Sequence, residues 1–237
     1  SGLGLALTAS GRVVRVAAAD QSDASMLSAY ITVGQDGVIT IGAPNPEVGQ
    51  GVNTALPMII AEELDANWDD VKVVTTPIDA ARFGAQFAGG SLSVPMRWDE
   101  LRKVGATARA MLLQAASGEL GVPTATLSTR DSTVIHEASG RSLPYAELAA
   151  GASDLPLPES ESLTLKSAEH YRLLGSRITN ASASAIAQGR PLFGIDVQVP
   201  DMVYASYAKC PHIGGRPVSA NLDEVKALAG VIDAFII

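Results

Sequence analysis

Gly49, Gln50 and Gly51 interrupt an otherwise apolar passage at a place where backbone groups could meet a ligand. Ahead of them, Gly34-Gln-Asp-Gly37 and Val38-Ile-Thr-Ile41 read as a turn feeding a strand. Behind them a helix is expected from Asn53 or Thr54, with Pro57 in its first turn. Glu62 and Glu63 follow on that helix, where complementarity to the helix dipole would explain them without catalysis. A strand, a glycine loop and a helix N-terminus together aim backbone N–H groups at a site for a polar or anionic ligand. Gln50 adds an amide donor and a carbonyl acceptor. Gly89-Gly90-Ser91-Leu92-Ser93 is a second such place, just before a second helix. Its glycines permit close backbone approach, and its two hydroxyls can bond phosphate oxygens. The plainer reading of those residues is a turn in which Ser93 caps the helix near Pro95. Phe83-Gly-Ala-Gln-Phe87 either lines the same cavity or, as phenylalanines more often do, belongs to the core.

Other chemistries find little support. His136, His170 and His212 are dispersed without metal-ligand spacing, and His212, beside Cys210 and Pro211, reads as structural. No Ser/His/Asp arrangement and no supported carboxylate pair is apparent, so no catalytic residue and no direct metal ligand is assigned to this chain. With 17 basic against 25 acidic residues the formal charge is −8, which argues against a nucleic-acid surface. A single cysteine excludes both an intrachain disulfide and an iron–sulfur cluster ligated within these 237 residues.

The elements that must position the two loops read as an α/β (α+β) chain. An apolar content of 47% with only 5% aromatic residues implies a core of Ala, Val, Leu and Ile. Residues 29–155 form one α/β unit, in which strands Val38–Gly42 and Val71–Thr75 bracket the first helix. The second helix is expected from Trp98 to Ala116, with Leu101, Val104, Ala108, Met111 and Leu112 inward and Arg102, Lys103 and Arg109 on its surface. Short strands at Thr126–Ser128 and Val134–His136 and a helix over Leu143–Ala150 follow. Residues 156–163, rich in proline and acid, read as a linker, and 164–237 as a second domain dominated by strands. Residues 1–28 read either as a buried N-terminal arm or as the remnant of a secretory signal, from the apolar Gly2–Leu7 and the small residues Ala17–Ala19. Val231–Ile237 reads as an apolar strand that needs a partner.

Glu47-Val-Gly-Gln-Gly51, Ala61-Glu-Glu-Leu64, Val71–Val74, Gly89–Ser93, Ala168–Gly175, Phe193–Val197 and Cys210–Gly215 occur in an order and spacing that resemble the large subunit of molybdenum hydroxylases. That family includes xanthine dehydrogenase and aldehyde oxidoreductase. The nearest branch is the isoquinoline 1-oxidoreductase beta-subunit type, with its membrane-associated aldehyde dehydrogenases. Val48 stands where the branch commonly has methionine.

The resemblance implies the N-terminal portion of such a subunit: a molybdopterin-binding α/β domain followed by a partial α/β hammerhead. It implies that Gly49, Gln50, Gly51, Gly89, Gly90, Ser91, Leu92 and Ser93 contact a molybdenum–molybdopterin cytosine dinucleotide shared with the remaining large-subunit portion. It further implies a small-molecule substrate, an aldehyde or N-heteroaromatic hydroxylated with water, and a glutamate base outside this chain. Electrons would leave through a partner subunit carrying two 2Fe–2S clusters, with a cytochrome c subunit as a further partner. The resembled branch is exported folded, which implies a periplasmic protein. Asn180, Ser182 and Ile186 stand where the hammerhead usually has arginine, aspartate and lysine. A non-catalytic assembly subunit that kept the fold is the alternative those departures suit.

Overall fold

The computed structural model describes the backbone of β1 (Leu3–Leu7), β2 (Val13–Ala17) and β3 (Ala24–Met26), and residues 28–237 in full. β1 and β2 pair antiparallel. Of the leader-like features, Gly2, Ala18 and Ala19 lie outside the described residues.

The chain divides into two compact units, residues 1–190 and residues 191–237. In the first, β4 (Ile31–Gly34) turns back into β5 (Ile39–Ala43), then α1 (Val52–Leu64) crosses to β6 (Val71–Thr75). β5 and β6 run parallel, so the strand–loop–helix–strand unit expected around Gly49–Gly51 is formed. A short α2 (Ala80–Phe83) leads to α3 (Ser93–Leu120), then β7 (Ser128–Arg130), β8 (Thr133–His136) and β9 (Arg141–Pro144) make an antiparallel sheet, and α4 (Tyr145–Asp154) follows.

The core gathers Ile31, Val33, Ile39 and Ile41 from the sheet, Leu56, Ile59, Ile60 and Leu64 from α1, and Leu101, Val104, Ala108, Met111 and Leu112 from α3. The five positions expected to face inward on the second helix all do. α1 and α3 approach closely at Gly105, where a Cβ would stand 2.4 Å from the Ile60 carbonyl oxygen. Only glycine fits that crossing.

Four boundaries differ from expectation for clear reasons. α1 starts at Val52, because Gly51 adopts φ 83° and ends the loop one residue earlier. α3 begins at Ser93 and not Trp98, since Pro95 lies in the first turn, where its missing N–H would have had no partner. It passes through Gly118 and stops at Gly121 in the left-handed region, because an interior glycine costs only about 1 kcal/mol. Pro144 marks the start of α4, placing Leu143 in β9.

The second half departs further. Residues 156–163, read as a linker, hold only the single turn Ser160–Ser162, and the division between units falls at Arg190. Among the described residues no strand follows Pro144, so the strands expected from Thr164 onward, including Val231–Ile237, are absent. The second unit holds one five-residue helix, α6 (Leu222–Lys226); the first closes with α5 (Ala183–Ala187). Ile195, Tyr204, Ile232, Phe235 and Ile237 are all exposed. A strand forms only against a neighbouring ladder, and these residues supply none to one another.

Candidate functional site

Asn45 joins the two glycine loops. It lies buried after β5, its Nδ2 donates to the Phe87 carbonyl at 2.8 Å and to Ser93 Oγ at 3.3 Å, and its Oδ1 accepts from Arg97 Nε at 3.2 Å. Arg97, itself 4% exposed, extends the junction. Its Nη1 pairs with Glu100 at 2.7 Å and its Nη2 donates to the Ala85 carbonyl at 2.6 Å. The other Glu100 oxygen accepts from the Tyr30 hydroxyl at 2.8 Å. Burial, then the Glu100 carboxylate beside it, push the Tyr30 hydroxyl well above its usual value, so it stays a donor. Gln86 ties the same region from below: its Nε2 lies within reach of the Pro44, Pro77 and Thr76 oxygens, and its Oε1 accepts from Asp79 N–H. The loops before α1 and α3 therefore sit side by side.

The first loop is stitched from within. Gln50 Oε1 accepts from Val48 N–H at 2.6 Å, and Gln50 Nε2 donates to the Pro46 carbonyl at 2.9 Å. Glu47 accepts from Gly49 N–H at 2.7 Å and Gly51 N–H at 3.0 Å through one oxygen, and from Asn53 N–H at 3.0 Å through the other. Burial alone would raise the Glu47 carboxyl, but donation by Asn53, Gly51 and Gly49 outweighs it and holds the group below its ordinary value. Gly49 and Gly51 have φ 98° and 83°, and nothing lies within 4 Å of where a Cβ would stand at either. The space over this loop is open.

The second loop differs. Leu92 precedes α3 without making a side-chain cap, and the first turn of α3 holds no acid. Ser91 (φ 57°) and Leu92 are exposed, with Gly89 and Gly90 beside them. Ser93 is the exception among the eight expected contact residues: its hydroxyl turns inward onto Asn45, so its side chain positions the loop. Phe83 is core, stacked edge-on against Tyr30 at 5.2 Å, whereas Phe87 is 43% exposed at the loop. Val48, Leu92 and Met96 add further exposed apolar surface nearby.

Sequence reasoning missed Asn45, Glu47, Gln86 and Arg97. A Glu two residues before a Gly-x-Gly at a helix start is a signal for Glu47; nothing local points to the contacts that Asn45, Gln86 and Arg97 make between the loops, because those partners lie 42 or more residues away.

It also misread Glu62 and Glu63. They occupy the last turn of α1, where the dipole disfavours them, and both are buried. Their partners are cations from α3 and from the segment after α4. Glu63 pairs with Arg102 at 2.7 Å and Arg109 at 3.8 Å, and accepts from Lys166 N–H at 3.0 Å. Glu62 pairs with Lys166 at 2.6 Å and collects the backbone N–H groups of Arg172, Leu173 and Leu174 at 2.9, 2.7 and 3.0 Å. Asp65, in the left-handed conformation that ends α1, bonds Lys166, Arg172, Arg109 and Thr129. Burial would raise Glu62 and Asp65, yet Lys166 and these donors hold both below their ordinary values. Arg102 and Arg109, expected on the helix surface, thus reach a buried carboxylate and clamp residues 164–174 onto α1 and α3; Arg102 also lies over the Trp98 and Tyr171 rings. Further along, Ala181 N–H donates to Thr54 Oγ at 2.9 Å at the start of α1.

The chain is similar to several known proteins. Residues 1–197 match the family model described as the molybdopterin cofactor-binding domain. The isoquinoline 1-oxidoreductase subunit beta of Brevundimonas diminuta is 31% identical over 239 residues, an alignment covering 85% of this chain and 31% of that protein. The membrane-bound aldehyde dehydrogenase [pyrroloquinoline-quinone] of Gluconacetobacter polyoxogenes is 30% identical over 208 residues, covering 86% of this chain and 26% of that protein. Quinoline 2-oxidoreductase from Pseudomonas putida 86 superposes with a TM-score of 0.41 at 21% identity, covering 53% of this chain and 16% of the other. The chain spans less than a third of the length of either curated relative.

Proposed function

This chain belongs to the molybdopterin cofactor-binding domain family, and on that basis we propose that it is part of the large subunit of a molybdenum-dependent oxidoreductase. The reading rests on one observation of geometry: two glycine loops, each at the start of a long helix, held side by side through Asn45. The residues present fit a pterin dinucleotide. The first loop presents neutral groups beneath open space. Gln50 keeps one N–H and one lone pair beyond its two loop bonds, enough to address a polarised oxygen without unstitching the loop. The second loop brings an uncapped helix start, two glycines and the Ser91 hydroxyl, which suit phosphate oxygens.

When bound, a molybdenum–pterin centre supplies two-electron redox chemistry that amino acids lack. The chain's share is to hold it: Gly49–Gly51 at the pterin, Gly89–Leu92 with the Ser93 backbone at the dinucleotide, and Asn45 and Arg97 fixing their separation. Substrates of the reading are aldehydes and N-heteroaromatics, the two classes named in the relatives. Hydroxylation with water, the cytosine dinucleotide form, a base supplied by the remaining large-subunit portion, and 2Fe–2S and cytochrome c partners belong to the same proposal. Residues 164–237 are proposed to complete a hammerhead domain only with that remaining portion.

Gln50→Ala in the full-length protein should lower turnover by roughly tenfold or more, about 1.4 kcal/mol at the transition state, while molybdenum content stays near wild type. Equal losses of metal and turnover would place Gln50 in general cofactor retention instead. A periplasmic location is proposed from the leader-like residues 2–7 and 17–19. Fractionation of cells expressing the gene with its native leader should find the chain outside the cytosol; recovery wholly from cytosol would refute it.

A further inference from the structure

We propose that Glu47 is a resident anion of the Gly49–Gly51 loop: its carboxylate pre-forms the loop and keeps an external phosphate out of it. The cofactor is thereby oriented, its phosphates directed away from the start of α1. The inference builds on the proposed cofactor site but rests on its own contacts.

A glycine loop entering a 13-residue helix would ordinarily offer its N–H groups to a phosphate. Here the offer is already taken. Glu47 gathers Gly49, Gly51 and Asn53 N–H through both oxygens, at 2.7, 3.0 and 3.0 Å. Among the described residues no lysine, arginine or histidine pairs with Glu47, so its charge is matched by these donors and the helix dipole alone. A second anion would meet both occupied donors and a like charge within hydrogen-bond distance, and is excluded on both counts. What remains exposed is neutral: the Gln50 amide and the open space over the two glycines. The second loop has no resident carboxylate, since α3 starts without a side-chain cap and without an acid in its first turn. The asymmetry between two otherwise similar loops is the substance of the inference. Glu47 is a positioning residue, acting on the cofactor through backbone it holds in place.

The test uses the full-length protein, its Glu47→Gln and Glu47→Ala variants, and inorganic pyrophosphate as probe. Hydrogen exchange is read at Gly49, Gly51 and Asn53, with Ile59 and Ile60 within α1 as internal references for folding. In the wild type these three amides should be protected, and pyrophosphate should not change them. Glu47→Gln offers one acceptor oxygen for three N–H groups, so at least one of them should exchange about tenfold faster while Ile59 and Ile60 are unchanged. In Glu47→Ala all three should exchange faster, and pyrophosphate should restore their protection by filling the vacated donors. Should the alanine variant lose protection at Ile59 and Ile60, the glutamine variant decides. Unchanged exchange in the glutamine variant, or pyrophosphate protection of these amides in the wild type, overturns the proposal. Absence of molybdenum from the purified wild type would overturn the cofactor reading and leave these exchange results standing.

Discussion

Glu62→Ala should lower the stability of the folded protein by about 3–5 kcal/mol, the range for stripping one member from a buried ion pair. Its carboxylate is 1% exposed and neutralises Lys166 while satisfying three consecutive backbone N–H groups, from Arg172 to Leu174. The three N–H groups are only partly buried and can regain water, so most of the loss comes from leaving the buried Lys166 ammonium without its partner. Glu62→Gln keeps one acceptor and should cost about half as much. Lys72→Met, on exposed β6, is the control and should fall within about 0.5 kcal/mol of wild type. Denaturant unfolding gives the difference, and a Glu62→Ala loss below about 1 kcal/mol would show that this segment is not clamped. The same cluster sets a direction with pH. Glu62 and Asp65 are depressed in the folded state, so their contribution is fully present above the unfolded carboxylate range, near pH 4, and is lost as pH falls through their folded values.

Arg97→Ala should loosen the junction between the two glycine loops, leaving the Asn45 Nδ2 bonds to Phe87 and Ser93. The guanidinium bonds Asn45, Glu100 and the Ala85 carbonyl, and through Glu100 it holds Tyr30. Without it a partly buried carboxylate loses its cation, and Asn45 Oδ1 loses its donor between the loops. Arg97→Lys restores charge but not the planar fork and should recover only part of the effect. Molybdenum per chain should fall at least tenfold in Arg97→Ala, about 1.4 kcal/mol of cofactor binding, and less in Arg97→Lys. Full retention of metal in the alanine variant would separate the junction from cofactor binding.

Local signals made the first half of the fold legible. Turn residues and the apolar run after them located β5, and the spacing of Leu101, Val104, Ala108, Met111 and Leu112 located the buried face of α3. Glycine loops before helices pointed to the region of interest, but not to the residues that organise it. Asn45 and Arg97 look like ordinary polar residues because they meet each other across 52 residues of sequence. Glu62 and Glu63 read from the sequence as complements to the helix dipole, because the Lys166 and Arg172 partners of Glu62 lie 104 and 110 residues downstream. Among the strands expected after Thr164, Val231–Ile237 is an apolar, β-branched run, and such a run fits a pleated surface only where a neighbouring strand provides one.

Molybdenum and released pterin should be quantified together on the full-length protein purified with its partners. About one of each per copy of this chain is expected, in equal amounts, because the paired loops are taken to hold a single metal–pterin unit. A well-folded preparation, made in cells able to assemble the cofactor, that carries neither molybdenum nor pterin would contradict the assignment.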